Sequence, residues 1–97
     1  MATVLVTGGT GFVGAYTAAD LIDHGHEVVA FDVSTDPRIL ERLDVADAVE
    51  IRRGDVTDPT AVARAVRETD ATRVIHLAAL LTNGARDNPR AAMEVNV

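Results

Sequence analysis

The stretch VTGGTGFVGAY, residues 6–16, holds four glycines within seven positions. Glycine loses more conformational freedom on folding than any other residue, so such a cluster marks backbone geometry that side chains would block. The spacing Gly8, Gly11, Gly14 is G-x-x-G-x-x-G. It follows Thr3 to Gly8, a β-branched run suited to a strand buried on both faces. It opens a helical pattern from Phe12 to His24, which Gly25 is placed to end.

Outward from this turn the chain alternates. Glu27 to Asp32 reads as a second buried strand ending on a carboxylate. Asp36-Pro37 is an N-cap followed by proline at the first helical position, starting a short helix from Arg38 to about Leu43. Ala48 to Asp55 is a third, more alternating strand, as near a sheet edge. Asp58-Pro59 repeats the cap before a helix from Thr60 to Glu68, and Arg73 to Ala79 is a fourth strand. A last helix begins near Asn88-Pro89 and runs to Val97. Strands alternating with helices imply parallel pairing through right-handed crossovers, hence an α/β doubly wound sheet with strand order 3-2-1-4.

Composition narrows the function. A chain of 97 residues is one small domain or part of a larger one. A net charge of −6 argues against general nucleic-acid or anionic-membrane binding. There is no cysteine for a disulfide, a thiol nucleophile or a Cys metal site. Neither a signal-peptide pattern nor an 18-residue apolar run is present, so the expected location is the cytoplasm. His24 and His26 form an H-x-H pair without a suitably spaced third ligand, and they read as solvated turn residues rather than a metal site.

Each glycine has a distinct role in this setting. Gly8 permits the tight turn, Gly11 lets a phosphate approach the backbone, and Gly14 lets the helix pack against the sheet. Amides around Phe12 and Val13 then point from the helix N-terminus at a pyrophosphate. Asp32 ends the second strand 24 residues after Gly8. There it can accept hydrogen bonds from adenosine ribose hydroxyls and repel a 2′-phosphate. With no arginine in the glycine loop, this favours NAD over NADP. The plainer alternative is a turn serving packing alone, with Asp32 a helix cap or a solvated strand end.

Four segments in order, TGGTGFVG (7–14), the Asp32 strand end, GDVTD (54–58) and HLAA (76–79), resemble the N-terminal part of the extended short-chain dehydrogenases/reductases, the NAD-dependent epimerase/dehydratase group. The resemblance covers essentially the whole chain and implies an incomplete Rossmann-type unit. On it, residues 1–97 are the N-terminal part of an NAD(P)-binding domain whose catalytic and substrate regions are absent. Gly8, Gly11, Phe12 and Val13 hold the pyrophosphate, with Gly14 beneath them, and Asp32 holds the ribose. Asp55 and Val56 meet the adenine. Leu77, Ala78 and Ala79 line the path from adenosine to nicotinamide. Asn96 matches an asparagine of the following helix that helps fix the active-site backbone. Each also has a local reading: Asp58 as an N-cap, the alanines as packing residues, Asn96 as an ordinary helix residue, and His76 as structural. The resemblance allows a homodimer in a full-length relative, through helices beyond this stretch.

The same family uses a tyrosine acid/base with a lysine four residues later, because proton transfer near neutral pH needs a tyrosine tuned below its free pKa of about 10. Here the only tyrosine is Tyr16, Asp20 stands four residues on, and there is no lysine. No catalytic residue is therefore assigned. Two readings remain: the N-terminal part of a longer NAD-dependent enzyme, or a stand-alone nucleotide-binding module without catalysis. An apolar fourth strand left as a sheet edge, and a stop inside a helical pattern, favour the first. A third class is an interaction protein that keeps the glycine loop for structure. Pro89 and Asn96, seven apart, match many sugar-nucleotide epimerases and dehydratases, although Ala92 and Met93 stand where those carry an aromatic. HLAALL followed by NP also resembles the branch that oxidises L-threonine.

Overall fold

The computed structural model describes residues 1–77 and the backbone of 93–96. The elements are β1 (Thr3–Thr7), α1 (Phe12–Asp23), β2 (Glu27–Asp32), α2 (Arg38–Arg42), β3 (Val49–Arg53), α3 (Pro59–Thr69), β4 (Arg73–His76) and β5 (Met93–Asn96). The sheet order is β3-β2-β1-β4-β5. The first four strands are parallel, in the expected order, with Leu5 opposite both Val29 and Val74.

Alternation along the strands builds two cores. Val4, Val6, Val28 and Ala30 face α1 and α2, where Ala15, Ala18 and Leu40 meet them. Leu5, Val29, Phe31 and Val74 face the other way, onto Ala65 of α3 and Ala71. Burial on both faces is what the continuous apolar run at β1 implies. The helix ends follow local chemistry. Gly25 takes a left-handed φ of 86°. Its N–H donates to the Ile22 carbonyl and the His26 N–H to the Leu21 carbonyl, closing α1 in a Schellman motif. Asp58 caps α3, accepting from the Thr60 and Ala61 N–H groups with Pro59 behind it.

Leu77, expected inside the fourth strand, lies just past the end of β4 at His76, and the structure departs from the sequence reading in four further places. First, Pro37 rather than Asp36 occupies the cap position of α2, and the Asp36 carboxylate accepts from the Arg38 N–H from one residue further back. Second, a short 3-10 turn over Ala46–Ala48 precedes β3, which is correspondingly shorter than expected. Third, His26 is half-buried rather than solvated, and its Nδ1 accepts the Ala2 N–H at 3.0 Å.

The fourth departure concerns the last helix. Its proposed start at Asn88-Pro89 lies outside the described residues, but Met93–Asn96 is a strand running antiparallel to β4. Asn96 pairs with Arg73 and Met93 with His76, so Asn96 is not on a helix and β4 is not a sheet edge. Open backbone groups along β4 favour pairing, and β-branched Val95 beside Asn96 gives a helix little support.

Candidate functional site

The glycine turn sits at the C-terminal end of β1, between that strand and the first turn of α1. The Gly8 N–H donates to the Phe31 carbonyl at 2.9 Å, so the turn begins where the β1–β2 ladder ends. Gly8 then takes φ 74°, a left-handed conformation that favours glycine. A Cβ on Gly14 would lie 2.0 Å from the Gly8 carbonyl oxygen, so the helix could not seat against the turn with any other residue.

Gly11 is different. It is the N-cap of α1, at φ −75° and ψ −179°, which any residue adopts. A Cβ there would meet only the Gly8 oxygen, at 3.4 Å. Neither backbone conformation nor internal packing requires glycine at this position. Its consequence is an open approach to the start of α1, where no side chain caps the helix and no acidic residue stands in the first turn. The first N–H groups of a helix have no partner within it and carry its positive dipole end, so an uncapped start of this shape suits an anion. Phe12 and Val13 supply that first turn with their side chains exposed, the Phe12 and Tyr16 rings 5.0 Å apart.

A pocket of about 450 Å³ opens beside this turn, bounded by Thr10, Gly11, Asp32, Ser34, Arg38 and Arg42 among others. The Asp32 carboxylate is tied into its wall. Oδ2 accepts from the Thr10 hydroxyl at 2.8 Å and the Thr10 N–H at 3.3 Å, and Oδ1 accepts from the Ser34 N–H at 3.1 Å. Asp32 is therefore a held side chain at the pocket, neither a helix cap nor a freely solvated strand end. The glycine loop has no arginine, but α2 brings Arg38 and Arg42 into the pocket lining. Arg38 is engaged by Asp36, with Nε 2.8 Å and Nη2 2.7 Å from the same carboxylate oxygen. That hydrogen bond holds the Asp36 carboxyl below the ordinary aspartate range.

The remaining anticipated positions are more scattered. The loop after β3 lies against the end of β2, the Gly54 N–H donating to the Asp32 carbonyl at 2.9 Å. Asp55 follows on the surface but turns its Oδ1 onto the Thr57 N–H and hydroxyl, and the backbone bond lowers its pKa. Val56 is half-buried against the α3 core. Leu77 is 5% exposed and belongs to the α1 core, its N–H donating to the Thr7 carbonyl. Ala78 and Ala79 lie outside the described residues. Sequence reading missed Thr10, Ser34, Asp36, Arg38 and Arg42 as pocket residues. The available signal was a hydroxyl inside the glycine turn facing the strand that ends in Asp32.

A glycine turn after the first strand, an open helix start and an acid ending the neighbouring parallel strand together define a Rossmann-type dinucleotide-binding unit. The sequence matches the model of the NAD dependent epimerase/dehydratase family over residues 4–97, and the chain belongs to that family. A UDP-glucose 4-epimerase of Neisseria meningitidis serogroup A is 39% identical over 88 residues, 87% of this chain and 26% of that protein. A 3 beta-hydroxysteroid dehydrogenase/Delta 5-->4-isomerase of Mycobacterium tuberculosis is 41% identical over 78 residues, 80% of this chain and 19% of that protein. Among solved structures, a UDP-glucose-4-epimerase from Stenotrophomonas maltophila with bound NAD and formylated UDP-arabinopyranose aligns with a TM-score of 0.70 at 30% identity. That alignment covers 79% of this chain and 24% of that one. The chain spans about a quarter of the length of the epimerase relatives it matches.

Proposed function

We infer that this chain is the NAD-binding portion of an epimerase/dehydratase-type oxidoreductase acting on a sugar nucleotide, and that it does not turn over substrate by itself. Gly11 carries the reading: its missing side chain is explained by neither φ nor packing, and it leaves the uncapped start of α1 open to a ligand. The residues present fit the cofactor. Backbone N–H groups at Phe12 and Val13 would hold the pyrophosphate, with Gly8, Gly11 and Gly14 shaping the turn, where the Gly11 N–H is kept by the Gly8 carbonyl. Asp32 would accept from the adenosine ribose, and the Asp55–Val56 loop and Leu77 to Ala79 would flank the adenine and the path to the nicotinamide. When bound, NAD would supply the hydride acceptor and donor.

Two relatives with different substrate names, one a sugar nucleotide and one a hydroxysteroid, match this same stretch. What they share here fits a cofactor portion rather than a substrate pocket. A sugar nucleotide is preferred because epimerases recur among both the sequence and the structural relatives. The absence of lysine leaves this chain without the Tyr-x-x-x-Lys pair that proton transfer needs. Incubating the purified chain with NAD and UDP-glucose, and following both NADH absorbance and the sugar product, tests this: no turnover is expected. Sustained turnover would overturn the non-catalytic reading.

A further inference from the structure

Thr10 plays no part in the glycine spacing, yet it is one of the most buried polar residues described, at 6% exposure. Its Oγ1 lies 2.8 Å from Asp32 Oδ2 and 3.0 Å from the Ser34 carbonyl oxygen. A hydroxyl has one proton to donate, so it serves one of these acceptors at a time. The carboxylate can be counted the same way. Oδ2 already has two donors, both from Thr10, whereas Oδ1 has one, from Ser34. A carboxylate oxygen has two lone pairs, so one acceptor position remains free, at Oδ1. An adenosine ribose offers two vicinal hydroxyls. One of them can donate to the open Oδ1 position while the Thr10 hydroxyl stays on Oδ2.

We propose that Thr10 is a positioning residue for an unphosphorylated ribose. It holds the Asp32 carboxylate against the pocket wall and so aims the open Oδ1 position at a ribose hydroxyl. This rests on the dinucleotide reading of the site. A fixed carboxylate also repels a 2′-phosphate, because it cannot turn its charge away from the pocket. Without the Thr10 hydroxyl, Asp32 loses its shortest hydrogen bond and gains freedom to turn. Affinity for NAD falls, and discrimination against NADP falls with it.

The test is calorimetric titration of NAD and of NADP into the full chain, as wild type and as Thr10→Val, Thr10→Ala and Thr10→Ser, with circular dichroism to verify folding. The Val variant keeps the shape of the buried side chain, and the Ala variant serves if Val disturbs the turn. The preference for NAD over NADP should fall about fivefold in Val and Ala, and Ser should restore it. An unchanged preference in a folded Val or Ala variant that still binds NAD overturns the Thr10 assignment and leaves the dinucleotide site standing. A Ser variant as impaired as Val overturns it as well, because the hydroxyl is then not the active group. A folded wild-type chain that binds neither dinucleotide overturns the dinucleotide reading and takes the Thr10 assignment with it.

Discussion

Gly11 and Gly14, three residues apart, divide binding from architecture. A Cβ at Gly14 meets backbone at 2.0 Å, with no flexible side chain to give way. Gly14→Ala should therefore destabilise the chain by about 3 kcal/mol in urea denaturation, near the upper range for overpacking. Gly11→Ala meets nothing closer than 3.4 Å and should cost no more than about 1 kcal/mol, the loss of a tolerated N-cap glycine. The same substitution should weaken NAD binding in calorimetry, since the methyl group stands at the open start of α1. Equal effects of the two changes on stability would contradict this division of roles. The glycine spacing and Asp32 were legible in the sequence because each signal is local to one strand end. Thr10 and Ser34 were not. Thr10 and Asp32 are 22 positions apart, and only the β1–β2 register brings them together.

At the scale of elements, helix ends give the clearest tests. Asp58 accepts two N–H groups at the start of α3, and Asp58→Ala should cost about 1 kcal/mol of stability by chemical denaturation. At the other end of α1, the Asp20 carbonyl, 2.8 Å from His24 Nδ1, raises the His24 pKa, and the Asp20 carboxylate adds to the effect. A raised pKa means that the folded chain binds the proton more tightly. Its stabilisation is full below the unfolded histidine pKa and fades as pH rises through the folded one. Comparing wild type with His24→Gln across that range should show a difference at acid pH that disappears on the alkaline side. Asp55 has the opposite sign: the Thr57 N–H lowers its pKa, so its contribution is present above the unfolded value and is lost as pH falls through the folded one. Element types from β1 to β4 were readable because β-branched runs, cap residues and Gly25 agree with one another. The strand at Met93–Asn96 was not, because its pairing with β4, from Met93 with His76 to Asn96 with Arg73, depends on a distant partner that local propensity does not register.

At the scale of the whole molecule, the parallel order β3-β2-β1-β4 places the C-terminal ends of β1 and β2 side by side, and the pocket opens there. Ligands of open α/β sheets bind at such strand ends. Alternation of strands and helices made this order legible, whereas the pocket wall supplied by α2 follows from a turn geometry that propensity does not specify. The central claim is that the glycine turn binds NAD rather than only joining a strand to a helix. Calorimetric titration of NAD into the chain and into Gly11→Val, both verified as folded by circular dichroism, tests it most directly. Binding by the wild type that the valine variant abolishes is the expected result. A folded wild-type chain that does not bind NAD, or a valine variant that binds it equally well, would contradict the claim.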